Sequence, residues 1–496
     1  MQLSFPFCTL LAGVLVALNA AAAPAQQPRM VTLPLTRIPQ RSDAHPQILL
    51  QQQMNSAHKR LALMAGVAPP TGRALYAALH KRVLAVEGAA GVERRYNRWG
   101  YPAKTDKRFN RTGLTHERRA KKGRKGQAGA NNGAAQQPAG AIGGPDSAVD
   151  GVVAVANAPT AANSLGLNVE VPDVGYLATV QMGTPPQNFL ILMDSGSADL
   201  WVASDTCQGV DGGGCGRHQT LSSRSSSSFK ASDTPFTVTY GTGAVAGAIV
   251  QDDITVAGLT LKAHTFGVAT QETDDFANDR VPFDGLMGLA KSALSQQKTA
   301  TPVEALAQQG LISDAITSYK ISRTADAKND GEITFGALDP AKFDANTLVT
   351  VPNVNAQGFW EAALDGVSVN GQDLGLNGRT AILDTGTTLV VVPQADAAAI
   401  HAGIKGAQDA GNGQFVVPCD LTDAVAFTFG GATFAIDPRD IAVQPVDNTG
   451  TTCISGITGG SFGTSDTQFL VGDVFLKNAY YSTDVGKNAI SLAKLV

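Results

Sequence analysis

The sequence predicts an all-β protein built from two related lobes with a cleft between them, preceded by a basic leader. Three observations carry this: a strand-rich texture from about residue 168 onward, one motif that occurs twice, and an abrupt change of charge along the chain. At 496 residues the chain exceeds what one hydrophobic core supports. Hydrophobic residues at 43 % against charged residues at 16 % exclude a coiled coil or a wholly disordered chain.

Charge separates the leader from the body. Residues 1–150 carry 21 Lys/Arg against 7 Asp/Glu, a net of +14, whereas residues 151–496 carry 17 against 35, a net of −18. Met1 to Ala23 reads as a secretory signal peptide, with a short apolar core from Leu10 to Leu18 and small residues from Ala20 to Ala23 for cleavage, although no Lys or Arg precedes that core. A membrane anchor needs about 20 apolar residues, and Pro6, Thr9 and Asn19 break this stretch too early. The chain ends at Leu495-Val496 without an apolar tail, so a soluble, secreted, extracellular protein with no membrane association is expected.

Residues 24–150 read as a propeptide and linker without an alternating strand pattern. A helical stretch is expected around Ala74 to Val86, followed by basic runs such as Arg118-Arg119 and Lys121-Lys122, then a Gly/Ala/Gln linker from Gly126 to Pro145. Behind a signal peptide, such runs read as processing sites rather than a nucleic-acid patch, so no nucleic-acid partner is expected. The Asn-x-Ser/Thr sequon Asn110-Arg111-Thr112 also lies here.

The body divides into an N-terminal β lobe, 151–338, and a C-terminal β lobe, 339–496. Apolar runs of four to seven residues, rich in Val, Ile, Thr and Phe, are punctuated by Gly, Pro and Asp. Phe236 to Tyr240 alternates strictly, Gly241-Thr242-Gly243 turns the chain, and Val245 to Val250 returns: a β-hairpin with a glycine-rich tip. Thr301 to Gln309 and Asp396 to Ile404 are the expected short helices. Asp326 to Glu332 reads as a hairpin turn, because Lys328 and Ala337 spoil an EF-hand pattern. Ser222 to Ser228 reads as a polar surface loop.

Removing Cys8 with the signal leaves Cys207, Cys215, Cys419 and Cys453, an even number suited to an oxidising compartment. Three pairings are open. The nearest-neighbour one joins Cys207 to Cys215 and Cys419 to Cys453, and separations of 8 and 34 residues do not resemble the paired short loops of a zinc site. The body histidines His218, His264 and His401 come with no HExxH or paired ligand spacing, so no metal or cofactor is expected.

The repeat carries the chemistry. Phe189-Leu190-Ile191-Leu192-Met193-Asp194-Ser195-Gly196-Ser197 recurs as Thr380-Ala381-Ile382-Leu383-Asp384-Thr385-Gly386-Thr387. Leu286-Met287-Gly288 and Leu470-Val471-Gly472 follow their respective Asp 94 and 88 residues later. Each Asp ends an apolar strand where its charge is poorly solvated, and each glycine two residues on permits a sharp turn and close approach. The hydroxyl residues supply short donors to hold the carboxylates. Two such carboxylates meeting across a cleft share one proton; the ionised one can activate a water while the neutral one protonates a carbonyl.

On these motifs the sequence resembles the pepsin-like family of aspartic endopeptidases, in particular secreted fungal members, from about Asn168 to Val496. The resemblance implies a pepsin-like fold and a monomeric acid endopeptidase made as a zymogen, acting on polypeptides with Asp194 and Asp384 as the catalytic pair. It implies cross-bracing by Ser195 and Thr385, the first a Ser where many relatives have Thr, and support from Gly196, Ser197, Gly386 and Thr387. Tyr240, Gly241 and Thr242 would belong to a flap over the substrate, with Trp201 bonding the tyrosine. Phe276, Phe283 and Leu286 would form the apolar wall of the main specificity pocket. Thr242 stands where some fungal relatives carry an acid, which implies a preference for large apolar residues at the scissile bond. The leader would be an intramolecular inhibitor, and Arg95-Tyr96 is its nearest match to the Lys-Tyr pair the family uses. An acid glycosidase also uses two carboxylates, but aromatics at 6 % and three Trp supply few sugar platforms. A non-catalytic binding protein on this fold usually loses an Asp or its Gly, and both are intact here.

Overall fold

The structure, a computed structural model, describes residues 31–34, 36–37, 45–64, 67–97, 175–210, 212–241, 243–277, 281–326, 328, 330–447, 449–460 and 466–496. The expected signal peptide, the runs at 118–122, the linker, the sequon and Thr242 lie outside these residues.

The body is β-rich with few short helices, and the strands that end in Asp lie at its centre. β3 (Tyr176–Met182), β4 (Gln187–Asp194), β5 (Leu200–Gly209), β6 (Lys230–Thr239), β7 (Ala244–Val256), β8 (Leu259–Glu272) and β9 (Gly285–Gly288) form the first sheet. A leader strand, β2 (Thr36–Arg37), extends it, in the order β2-β3-β4-β9-β5-β8-β7-β6. A five-stranded sheet follows in the second half, from β13 (Glu361–Leu364), β14 (Arg379–Leu383), β15 (Val390–Pro393), β16 (Ile457–Gly460) and β17 (Gln468–Val471), in the order β13-β14-β17-β15-β16. A six-stranded sheet joins strands from both halves. It runs β1 (Val31–Pro34), β11 (Glu332–Phe335), β10 (Ile316–Lys320), β18 (Tyr480–Asp484), β19 (Ala489–Ala493), β12 (Val349–Pro352).

The register explains why the apolar-apolar-Gly motif repeats. β4 runs parallel to β9, pairing Leu192 with Leu286, Met193 with Met287 and Asp194 with Gly288. β14 runs parallel to β17 in the same way, pairing Ile382 with Leu470 and Leu383 with Val471. In each half the chain turns at the Asp and comes back antiparallel along the same motif strand, with Leu200 opposite Met287 and Val390 opposite Val471. Three chain segments therefore crowd each motif glycine. A Cβ on Gly288 would lie 2.4 Å from the Asp199 nitrogen, and one on Gly472 would lie 2.0 Å from the Thr387 carbonyl oxygen. Only glycine fits there.

Several expectations match. The β6–β7 hairpin pairs Phe236 with Gly247 and Thr239 with Ala244. Helices occur at α3 (Pro302–Gln308), started by a Thr301–Glu304 capping box, and at α4 (Gln394–Ala402). Asp326 to Glu332 falls in the connection of the β10–β11 hairpin. Cys207 is joined to Cys215 and Cys419 to Cys453. His264 and His401 are buried, stacked on Phe266 and Phe415.

Two expectations need correction. The leader does contribute strands: β1 pairs with β11 and β2 with β3. These segments are four and two residues long, too short to display an alternation, and they are ordered by partners far along the chain. Ser222 to Ser228 is not simply a surface loop, because Ser226 is 2 % exposed and Asp252 Oδ1 accepts bonds from the Ser226 and Ser228 hydroxyls. A buried carboxylate on β7, invisible in the local sequence, draws the loop inward.

Gly472→Ala should unfold about 1–3 kcal/mol more easily in urea than the unaltered chain, the usual cost of forcing an added methyl into a packed interior.

Candidate active site

The two Asp-Gly loops face each other, and each carboxylate is fixed within its own loop. Asp194 accepts bonds from the Gly196 amide at 2.9 Å and the Ser197 hydroxyl at 2.6 Å. Asp384 accepts from the Gly386 amide at 2.9 Å and the Thr387 hydroxyl at 2.6 Å. The loops then brace each other with near twofold symmetry. The Ser195 amide donates to Thr385 Oγ1 at 2.9 Å, and the Thr385 hydroxyl donates to the Met193 carbonyl at 2.9 Å. Reciprocally, the Thr385 amide donates to Ser195 Oγ at 3.0 Å, and that hydroxyl donates to the Leu383 carbonyl at 3.2 Å. All four bonds are buried, so no water can substitute for a missing partner.

The glycines bring the loops this close. A Cβ on Gly196 would sit 2.4 Å from Asp384 Oδ1, and one on Gly386 would sit 2.3 Å from Asp194 Oδ1. Each carboxylate occupies the space that a side chain on the opposite loop would need. Burial pushes the Asp384 carboxyl above the ordinary carboxylate range and Asp194 adds to this, while an arginine opposes it.

That arginine is Arg60, on the leader helix α1 (Pro46–Met64). Its Nη2 donates to Asp194 Oδ1 and, at 2.9 Å, to Asp384 Oδ1, while its Nε lies 2.6 Å from Asp384 Oδ2. Burial disfavours the guanidinium charge, yet the two carboxylates outweigh it and raise the Arg60 pKa. The helix lies in the cleft because one face is apolar. Leu50, Met54, Ala57, Leu61 and Met64, at spacings of four, three, four and three, pack on Phe359, Ile382, Leu389, Val391, Ile454 and Leu470. His58, two residues before Arg60, is half-buried and bonded to the Gly459 backbone. The second leader helix, α2 (Gly72–Asn97), packs on α1, where Asn55 donates to the Leu75 carbonyl. From α2, Arg82 donates to the Gly411 carbonyl at 3.3 Å.

The sequence missed Arg60. Arg95 and Tyr96 fall in the last part of α2, whose side chains lie outside the described residues, and the position between the carboxylates is taken by Arg60. The signal that could have found it is the apolar stripe from Leu50 to Met64 interrupted by His58-Lys59-Arg60.

The hairpin expected to act as a flap covers one side. The Trp201 indole N–H donates to the Tyr240 hydroxyl at 2.8 Å, and both rings are buried. Phe276 lies against both, with centroids 5.4 Å from Trp201 and 5.7 Å from Tyr240. Phe283 and Leu286 belong to the same apolar cluster. A Cβ on Gly241 would lie 2.3 Å from the Ser56 carbonyl, so leader and hairpin tip are in close contact. A cavity of about 250 Å³ remains beside Arg60, lined by Met64, Gly196, Tyr240, Leu294 and Phe359 among others. Phe276, Phe283 and Leu286 do not line it; they pack behind Trp201 and Tyr240.

Among the described residues, one group of three potential metal-ligating side chains comes together: Cys207, Cys215 and Glu272. Its two sulfurs are bonded to each other and are not free thiolates.

The family described as eukaryotic aspartyl protease matches residues 175–495, well over half of the chain. The chain belongs to this family. Among curated relatives, the protein named probable aspartic-type endopeptidase CTSD of Arthroderma benhamiae is 38 % identical over 340 residues, covering 68 % of this chain and 64 % of that protein. Aspartic-type endopeptidase ctsD of Aspergillus fumigatus is 36 % identical over 342 residues, 69 % of this chain and 70 % of that protein. Cathepsin D of Dictyostelium discoideum is 33 % identical over 334 residues, 65 % and 84 % respectively. The match thus spans just under two thirds of the Arthroderma benhamiae protein. Within this aspartyl protease fold the two braced loops lie at the junction of both halves.

Thr385→Val keeps the shape of the brace but removes the hydroxyl that links the Ser195 amide to the Met193 carbonyl. Orphaning two buried groups should cost about 2–4 kcal/mol of stability in a denaturant titration; a loss below about 0.5 kcal/mol would show the brace to be energetically idle.

Proposed function

We propose that the chain is the zymogen of a secreted, monomeric aspartic endopeptidase in which the leader holds the catalytic pair Asp194 and Asp384 silent. In this reading residues 1–23 are a signal peptide, 24–150 the propeptide and linker, and 151–338 and 339–496 the two lobes. The observation that carries it is one guanidinium seated on two buried carboxylates from opposite repeats. The two disulfides support passage through an oxidising compartment.

The geometry supports a defined chemistry once Arg60 withdraws. The carboxylates then face each other without a cation, and mutual repulsion favours the state with one proton between them. The ionised carboxylate takes a proton from a water as its oxygen bonds to the peptide carbon. The neutral carboxyl gives its proton to the carbonyl oxygen, producing a neutral tetrahedral diol. Collapse returns a proton to the amide nitrogen as the C–N bond breaks, leaving a carboxylic acid and an amine. The Gly and hydroxyl bonds to each carboxylate fix its orientation throughout.

Polypeptide substrates fit because the cleft already holds a polypeptide, the leader helix. The apolar surface under Leu61 and Met64, with Phe359, Ile382 and Leu470, supports a preference for large apolar side chains near the scissile bond. Tyr240 and Gly241, held by Trp201, would close over the bound chain.

The processed form should hydrolyse denatured haemoglobin at about pH 3–4, blocked by a statine-containing peptide. Asp194→Asn or Asp384→Asn should lower that rate at least about 1,000-fold, since one partner can then no longer change its proton; a variant retaining a tenth of the activity would end this assignment.

Acid should also open the zymogen. Asp384 is pushed above the ordinary carboxylate range, so as pH falls it takes up a proton earlier than a solvated Asp, and Arg60 loses an ionic partner in mild acid. Breaking a buried ion pair costs about 3–5 kcal/mol. Arg60→Gln should therefore move the pH at which activity appears upward by about one unit or more, with Arg60→Lys between. An unchanged midpoint in both variants would exclude this latch.

A further inference from the structure

Glu272, the last residue of β8, lies directly against the Cys207–Cys215 disulfide, with one of its oxygens and both sulfurs all within 4.8 Å of one another. It has no solvent exposure, and neither of its oxygens has a hydrogen-bond partner. A carboxylate cannot remain charged in such a place without a partner. Burial alone pushes its pKa up to about 8, so the group carries a proton in neutral and acidic solution.

Among the described residues, no nearby charge competes for it. On β5, Asp205 is paired with Arg224. On the segment after Cys215, the His218 ring bonds the Val281 carbonyl and Arg217 has its own contact. The part of β7 from Ala244 to Val250 holds no titratable residue. Beyond β8, Asp275 faces Lys59 and Asp274, and the Tyr240 hydroxyl accepts from Trp201. None of these perturbs Glu272.

The two cysteines are unequally buried. Cys215 is 6 % exposed, while Cys207 is partly open to solvent. The Glu272 carbonyl accepts from the Val210 amide at 3.0 Å, and Glu272 pairs with Val245, so this corner is fastened to the returning strand of the flap hairpin.

We propose that Cys207–Cys215 is a thiol–disulfide exchange site for small dithiols, with Glu272 as its proton donor. A dithiol thiolate attacks the accessible Cys207 sulfur, forming a mixed disulfide and breaking the Cys207–Cys215 bond. The electron pair passes to the Cys215 sulfur, which takes the Glu272 proton and leaves as a neutral thiol. The second thiol of the reductant, losing its proton, then displaces Cys207, whose thiolate is protonated from solvent as Glu272 is. The dithiol is oxidised to its cyclic disulfide and two cysteines are reduced. Donation to the leaving sulfur matters because a buried thiolate would otherwise be created without a counter-charge. Asp194 and Asp384 take no part, so the site stands independently of the peptidase reading.

The second disulfide supplies an internal reference. The full chain is treated with dithiothreitol from pH 6 to pH 9, quenched by alkylation, and each cysteine read by mass spectrometry. The ratio of the Cys207–Cys215 rate to the Cys419–Cys453 rate cancels the reductant's own ionisation. That ratio should fall at least about tenfold across the range as Glu272 loses its proton, a modest value for general acid catalysis. In Glu272→Gln it should be at least about tenfold lower at pH 6 and flat with pH. A ratio that does not change with pH in the unaltered chain overturns the proposal, and that measurement decides even if the variant fails to fold.

Discussion

Two carboxylates held without solvent in one junction are the constraint on which the rest of this structure depends. Like charges so placed repel, and water cannot screen them. The chain answers first with geometry: amides and hydroxyls from each loop's own Gly and Ser or Thr point at each acid. It answers second with a cation from outside the body, Arg60. The exchanged Ser195 and Thr385 hydroxyls keep the loops from separating under that repulsion. Sheet register follows from the same need, since β9 and β17 pair alongside the Asp strands and require glycine where the chain doubles back.

The leader is an integral part of the fold, not an appendage. Its strands β1 and β2 extend two sheets, and α1 buries Leu50, Met54, Leu61 and Met64 against the second half of the body. Each such side chain contributes about 1.5–3 kcal/mol by leaving water. The apolar contact and the ion pair therefore act together: packing places the helix, and the guanidinium sets its register over the acids. The opposite net charges of leader and body are the broad expression of that pairing.

The sequence revealed what depends on local pattern. Asp194 and Asp384 could be read because each sits in a repeated string whose parts also pair in the folded chain. The β6–β7 hairpin could be read because Phe236 to Tyr240 alternates before a glycine turn. Contacts between distant segments could not be read this way. Arg60 meets acids 134 and 324 residues away; the apolar stripe around it marks a helix face, but nothing in that stretch shows which distant groups the face meets. Glu272 looks like an ordinary polar residue at a strand end until the fold encloses it beside Cys215. Ser226 is hidden in a run of serines and acquires meaning only from Asp252.

Arg60 and the acids it covers belong to one covalent chain, and that has a thermodynamic consequence. While the connection through residues 98–174 is intact, the guanidinium returns after every excursion, at an effective concentration typical of tethered groups, on the order of millimolar. Cutting the connection leaves every contact unchanged at that instant but abolishes the tether. A helix that then drifts away is diluted into the surroundings, and the entropy of that dilution opposes its return. That connection, more than any single bond in the cleft, is what makes each excursion of the helix reversible.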